Sequence, residues 1–447
     1  MTTRGSGGAP SGEHGVAFGD ATRFWIKLGF INFGGPTGQI AIMHEEIVER
    51  RRWVGEGRFL HALNFCMLLP GPEATQLAIY IGWLLHKVRG GVIAGVAFVV
   101  PSFVLLLGLS WVYAAHGTIG WIAGVFSGLA AAVIAIVAVA GIKIARRALS
   151  NPLMVIVAVL TFLAIFVFHL PFPLIIASAI VLGLLGDRIR PGWFEVGVER
   201  ELEERAAIRD DAEAGEHTRP STRRSITVLG LGLAVWLVPL LVIAGWRGAG
   251  DVLTEQAWFF SRASLITFGG AYAVLPYVNQ AAVEGYGWLT PLQMIDGLAL
   301  GETTPGPLIM VVAFVGFVAG WTRELFGPDA LFAAGVAAAT AATFFTFLPS
   351  FLFILVGGPL VEATHGEIRF TAPLTAITAA VVGVILDLAL YFGQHVLWPR
   401  GLDESFEWPA AIAAVAAAAA LIRFKIGVVT VILACAVAGM GWHMLLR

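Results

Sequence analysis

Charge is scarce in this chain. Only 13% of its 447 residues are Asp, Glu, Lys or Arg, and the formal net charge is −2. That leaves no cationic footprint for a nucleic acid. Cysteine is nearly absent: Cys66 and Cys435 sit in separate apolar stretches, which excludes a cysteine-built metal centre and reads them as packing residues, although Cys66 lies close to a Pro-Gly-Pro. The 10 histidines are scattered near segment ends without metal-ligand spacing, and no paired nucleophile and base stands out. No glycine-rich loop ends in Gly-Lys-Ser/Thr, so ATP is not the obvious energy source. What remains is apolar. Hydrophobic residues make up 58% of the chain, and the mean hydropathy is +0.82. Many apolar runs of about 20 residues define a polytopic helical membrane protein. The 53 glycines suit helices that cross closely or break inside a bilayer.

Thirteen apolar segments can be counted. They cover 21–43, 59–86, 92–114, 119–142, 152–169 and 172–187, then 226–246, then 257–280, 292–321, 329–356, 370–393, 408–422 and 426–445. The expected organisation is a disordered tail over 1–20 and a transporter repeat over 21–187. A hydrophilic linker over 188–225, a connecting transmembrane helix over 226–246 and a second repeat over 257–447 follow. The linker mixes Glu, Asp and Arg and reads as a solvated connector.

The chain repeats itself. Phe33-Gly34-Gly35 recurs as Phe268-Gly269-Gly270, and Pro70-Gly71-Pro72 as Pro305-Gly306-Pro307, both at an offset of 235 residues. Trp53 and Trp288 obey the same offset. Pro101-Ser102-Phe103 and Pro349-Ser350-Phe351 match at 248, as do Ala131-Ala132-Val133 and Ala379-Ala380-Val381. Seven segments separate the repeat starts, so the second half is expected upside down relative to the first. Arg50, Arg51, Arg52 and Arg58 crowd the loop between the first pair of motifs, whereas 281–293 has no Lys or Arg. Basic residues favour the cytoplasmic side, which puts the two loops on opposite faces. The remaining charges agree if 59–86 is a re-entrant hairpin. The fold class expected is therefore an all-α polytopic membrane protein with two inverted-topology repeats and broken or re-entrant helices.

Each motif places Pro or Gly where a continuous helix fails. Proline nevertheless suits a helix's first turn. Pro72 and Pro307 can each open a half-helix, and Pro36 another after Gly34-Gly35, with Ala271 in its place in the second half. Interruptions at matching places in two halves point to a secondary transporter's binding site. A half-helix starting inside the bilayer presents unpaired N–H groups and a positive dipole end, which favour an anion. The simpler alternative is that the glycines only permit tight crossing and the prolines only kink. Lys27 and Arg262 hold equivalent positions and would neutralise part of an oxyanion's charge, or else snorkel to the interface. Thr75, Gln76, Thr303 and Thr304 could donate to substrate oxygens, with Asn64 a weaker candidate. Glu73 and Glu302 are candidate proton carriers or simple helix caps, and Asp296 and Asp387 rank below them.

At these residues the chain resembles the chromate transporter (CHR) family, long two-domain type. The resemblance rests on Phe33-Gly34-Gly35-Pro36 with Gln39, Leu69-Pro70-Gly71-Pro72 with Gln76, and Phe268-Gly269-Gly270 with Thr304-Pro305-Gly306-Pro307. It implies efflux of chromate, a tetrahedral dianion similar to sulfate, across a bacterial inner membrane, with chromate resistance as the outcome. The expected partners are a small inorganic oxyanion (chromate, with sulfate open), the lipid bilayer and no nucleic acid. A homodimer stays open. No cofactor and no metal are expected. A passive anion channel is the main alternative, and a membrane-embedded enzyme a weaker one.

Overall fold

A computed structural model describes residues 16–33, 35–189, 221–268, 270–363, 371–401, 403 and 405–446. Residues 1–15 of the expected tail, 190–220 of the expected linker, Gly34 and Gly269 lie outside it. Among the described residues there are sixteen α-helices and no strands, and seven helices are long and apolar enough to cross a membrane. The protein is an all-α polytopic membrane protein.

The first half comprises α1 (Phe18–Ile31), α2 (Gly35–His44), α3 (Glu56–Leu68), α4 (Glu73–His116), α5 (Gly120–Ala148), α6 (Pro152–Phe166) and α7 (Phe172–Ile189). A peripheral helix, α8 (Thr222–Arg247), buries only Trp236. The second half comprises α9 (Val252–Ile266), α10 (Ala271–Asn279), α11 (Pro291–Thr303), α12 (Val311–Thr322), α13 (Leu331–Ala363), α14 (Thr371–Leu397), α15 (Trp408–Ile422) and α16 (Val428–Leu446). Thirteen apolar segments become sixteen helices because segments 21–43, 257–280 and 292–321 each split at their Gly or Pro motif, while 59–86 splits at Pro-Gly-Pro and its second part runs into α4.

Local chemistry sets several ends. In α1, Ala21, Phe24, Trp25 and Leu28 form one buried face, which leaves Arg23 and Lys27 exposed. Its start at Phe18, inside the expected tail, is held by an edge contact of Phe18 on the His86 ring at 5.3 Å. Asp251 caps α9 by accepting from the Leu253 N–H at 2.9 Å, so that helix begins before residue 257. Thr290 and Gln293 form a reciprocal capping box on α11, with Pro291 at its first turn.

The halves match element for element. A six-residue π turn follows α2 at Glu45–Arg50 and follows α10 at Gln280–Gly285. Both turns close the same way. Arg51 N–H bonds Glu46 C=O and Trp53 N–H bonds Ile47 C=O, as Tyr286 bonds Ala281 and Trp288 bonds Ala282. Arg52 and Gly287, equivalent residues, both take left-handed backbone conformations, φ 52° and 59°.

α4 is two helices. His86 and Lys87 leave helical geometry, with Lys87 at φ 59°, and the chain doubles back. The second arm packs along the first at glycines: a Cβ on Gly91 would stand 3.0 Å from the Ile79 carbonyl oxygen, and one on Gly95 2.6 Å from Ile79 Cγ1. α3 and the first arm of α4 each have about 13 residues, or about 20 Å of helix, short of the ~30 Å hydrocarbon core. Helices α1–α4 surround a core of their own. The larger core joins α5–α7 to the second half, with α5 against α14, α15 and α16, and α14 against α6 and α7.

Candidate functional site

The four breaks meet in two pairs. Gly71 N–H donates to the Thr267 carbonyl at 2.8 Å, and Gly306 N–H donates to the Asn32 carbonyl at 2.8 Å. Gly71 and Gly306 are equivalent residues, as are Asn32 and Thr267, so each half's Pro-Gly-Pro is tied to the residue preceding the other half's Phe-Gly-Gly. Such a reciprocal exchange is what a two-fold relation between halves produces. Only glycine suits the crossing. Gly71 has φ 124° and Gly306 φ 110°. A Cβ on Gly71 would stand 2.7 Å from Ser350 Oγ, and one on Gly306 2.7 Å from Ser102 Cβ.

Buried polar groups line these two junctions, several of them without partners. Asn32, Gln39, Gln76 and Ser102 are 0% exposed and Ser350 1%. Gln39 Nε2 donates to the Gly306 carbonyl and Gln76 Nε2 to the Pro70 carbonyl at 2.7 Å. Both amide ends of Asn32 and the hydroxyls of Ser102 and Ser350 have no hydrogen-bond partner, nor does the buried Thr75 hydroxyl. Each unpaired buried donor costs about 1–3 kcal/mol. Tetrahedral oxygens that accept from several donors would remove that cost.

The remaining expected residues are distributed around the crossing. Pro72 is the N-cap of α4 and Pro307 that of a 3₁₀ turn, Leu308–Met310, leading into α12. Both prolines therefore sit one position earlier than a first-turn proline. Gly35 (φ 68°) and Pro36 begin α2, and Gly270 (φ 90°) is the N-cap of α10. Pro70 is half-buried and Pro305 buried. Glu73 and Glu302 are both brought to the first turn of α10. The Glu73 carboxylate oxygens lie 3.4 and 3.5 Å from where a Gly270 Cβ would be, and Tyr272 OH donates to Glu302 Oε1 at 2.6 Å. Asp296 is elsewhere, accepting from Tyr113 OH at 2.9 Å. Thr303 and Thr304 donate back to the carbonyls of Leu300 and Gly301, at 2.7 and 3.0 Å, so their hydroxyl protons are already committed. Lys27 and Arg262 are exposed and not part of the buried cluster. The field of Lys27 reaches Glu46, while Arg262 lies over the Trp258 ring at 5.4 Å and 3.4 Å from Tyr286 OH.

Sequence reasoning did not assign Asn32, Thr267, Ser102 or Ser350 to the site. The duplicated Pro-Ser-Phe marked the two serines as repeated, but a lone serine in an apolar helix does not say which face it occupies.

The Chromate transporter family profile matches residues 20–184 and 254–440, the two halves just described. The chain is 32% identical over 433 residues to a chromate transport protein of Pseudomonas aeruginosa, covering 93% of this chain and 90% of the relative. It is 28% identical over 406 residues to a chromate transport protein of Cupriavidus metallidurans, covering 90% and 87%. A probable chromate transport protein of Synechococcus elongatus is 26% identical over 376 residues, covering 84% of each. No solved structure matches the chain significantly.

Proposed function

This chain belongs to the chromate transporter family, and from that premise we propose that it is a secondary transporter exporting chromate across a bacterial inner membrane, which confers chromate resistance. The observation that carries the reading is the reciprocal pair of backbone bonds, Gly71 to Thr267 and Gly306 to Asn32, closed around unpaired buried donors. The oxyanion binds at this crossing, accepting from Asn32 Nδ2 and the hydroxyls of Ser102 and Ser350, beside the N-termini opened by Gly35, Pro72, Gly270 and Pro307.

The two halves lie in opposite orientations. Support comes from the two-fold exchange of bonds and from the arginines confined to the first half's motif loop. Alternating access then consists of one half rocking against the other, with the clasp closed in the state described and opened toward one side or the other to admit the anion. Lys27 and Arg262, exposed and equivalent, gather the dianion at the two mouths. Glu73 and Glu302, beside the first turn of α10, repel a dianion while ionised and admit it when protonated, which links chromate movement to protons.

Labelled chromate and sulfate uptake into inverted membrane vesicles, with pH and potential clamped separately, tests the reading. Saturable chromate uptake stimulated by chromate on the opposite side is expected. Flux linear in concentration, without that stimulation, would mean a channel instead.

A further inference from the structure

The other end of α10 opens on a second polar space. A cavity of about 230 Å³ is walled by the α6–α7 turn, the end of α10 with its π turn, and one face of α14. Asp387, Tyr391 and Gln394 line it at successive turns of α14. Glu284 faces it from the π turn, His169 from the α6–α7 turn and Asn279 from the last residue of α10. Asp387 shares this lining with Glu284 and His169, and Tyr391 is the remaining ionisable group among the lining residues. Helices α5, α7, α11 and α15, also packed against α14, contribute no ionisable side chain to the lining.

Asn279 supplies an independent sign of a ligand. It is 4% exposed, and its Oδ1 has no hydrogen-bond partner. An orphan carbonyl oxygen and two carboxylates share one preference, a positive charge. Two carboxylates and one amide oxygen are a donor set that suits a singly charged cation.

The acidity of the α14 face belongs to this half alone, whereas Glu284 has an acidic counterpart, Glu49, in the first π turn. At the equivalent places of the other half stand Val139, Lys143 and Arg146 for Asp387, Tyr391 and Gln394, and Lys425 for His169. His169 and Lys425 share the same left-handed backbone, φ 49° and 54°, so the turn is duplicated while the acidic face of α14 is not.

We propose that this cavity binds a monovalent cation, a proton or an alkali ion, on Asp387 and Glu284, and that its occupancy is transmitted along α10 to the oxyanion crossing. The inference rests on the transport reading above. α10 is about 13 Å long, with the cation site at its C-terminal end and Gly270, Glu73 and the Tyr272–Glu302 pair at its other end. A short helix with an anion beside its first turn and a cation beside its last couples the two sites when it shifts.

Proteoliposomes holding the full chain test this. Chromate uptake is driven by a pH gradient in sodium-free choline buffer, or by a sodium gradient at constant pH, beside chromate–chromate counterflow without any gradient. One of the two gradients is expected to drive wild-type uptake, which identifies the ion. Asp387→Asn and Glu284→Gln should each lose that gradient-driven uptake at least tenfold while counterflow stays within twofold of wild type. Gradient-driven uptake unchanged in both variants overturns the site. So does equal loss of counterflow and gradient-driven uptake in both, because the damage is then general. So does a wild type that responds to neither gradient. Absence of wild-type counterflow would instead overturn the transport reading, and the inference with it.

Discussion

Gly71 and Gly306 hold left-handed backbone angles at the point where the halves touch, and their N–H groups are spent on the opposite half. Alanine at either position would bring about 1–3 kcal/mol of backbone strain, added to overlap with Ser350, Gln76 or Ser102. Gly71→Ala and Gly306→Ala should each lower thermal stability in detergent and abolish chromate flux, whereas Gly230→Ala, with open space around it, should change neither. Lys27 and Arg262 present the opposite case, exposed side chains whose removal should move stability by no more than about 0.5 kcal/mol. Lys27→Ala and Arg262→Ala are expected to cut chromate flux at least tenfold, chiefly by raising KM. Normal flux in both would remove charge gathering from the mechanism. These residues also show what a sequence discloses. Glycine and proline carry their backbone consequences locally, so the breaks could be read from their spacing. The bond from Gly71 to Thr267 joins residues far apart in the chain, and nothing local to either announces it. Thr303 and Thr304 offer hydroxyls suited to a substrate, but a hydroxyl in an apolar helix finds a carbonyl three residues back, and theirs do.

The π turns are the elements the halves repeat most closely, and each is locked by different chemistry. In the first, Glu46 is buried beneath Arg50 at 2.9 Å and Arg51 at 3.3 Å. Burial pushes its carboxyl up, but the hydrogen bonds from Arg51 and Arg50 and the charge of Lys27 outweigh that and hold it below the ordinary glutamate value. A depressed carboxylate stabilises the fold above its unfolded value, about 4.3. That contribution disappears as pH falls through the lower folded value. Acidification from pH 6 to 3 should therefore loosen this turn, read by the fluorescence of Trp53, whose ring sits 5.0 Å from the Arg51 guanidinium. Glu46→Gln should remove the acid transition, and its persistence would contradict the assignment. The second π turn has Ala281 in place of Glu46 and is held by stacked Tyr286 and Trp288 rings, 4.5 Å apart. The turns were not legible in the sequence. An apolar run ending in charged residues looks alike whether its last turn is α or π, and only the closing bonds distinguish them.

Across the whole molecule, hydropathy carried the class of the fold, because it follows from composition summed over many residues. The interlocking of α5 with α14–α16 did not follow, since any two apolar helices of this length could pack together. In the transport mechanism proposed above, the halves face opposite sides and meet at a clasp that opens alternately. Glu56 and Leu292 are exposed first-turn residues of α3 and α11, the equivalent helices beyond the two motif loops. With Cys66 and Cys435 replaced by alanine, Glu56→Cys and Leu292→Cys can be labelled with a membrane-impermeant maleimide in right-side-out and inverted vesicles. Glu56→Cys is expected to label only from the cytoplasmic side and Leu292→Cys only from the opposite side. Labelling of both from the same side would contradict it.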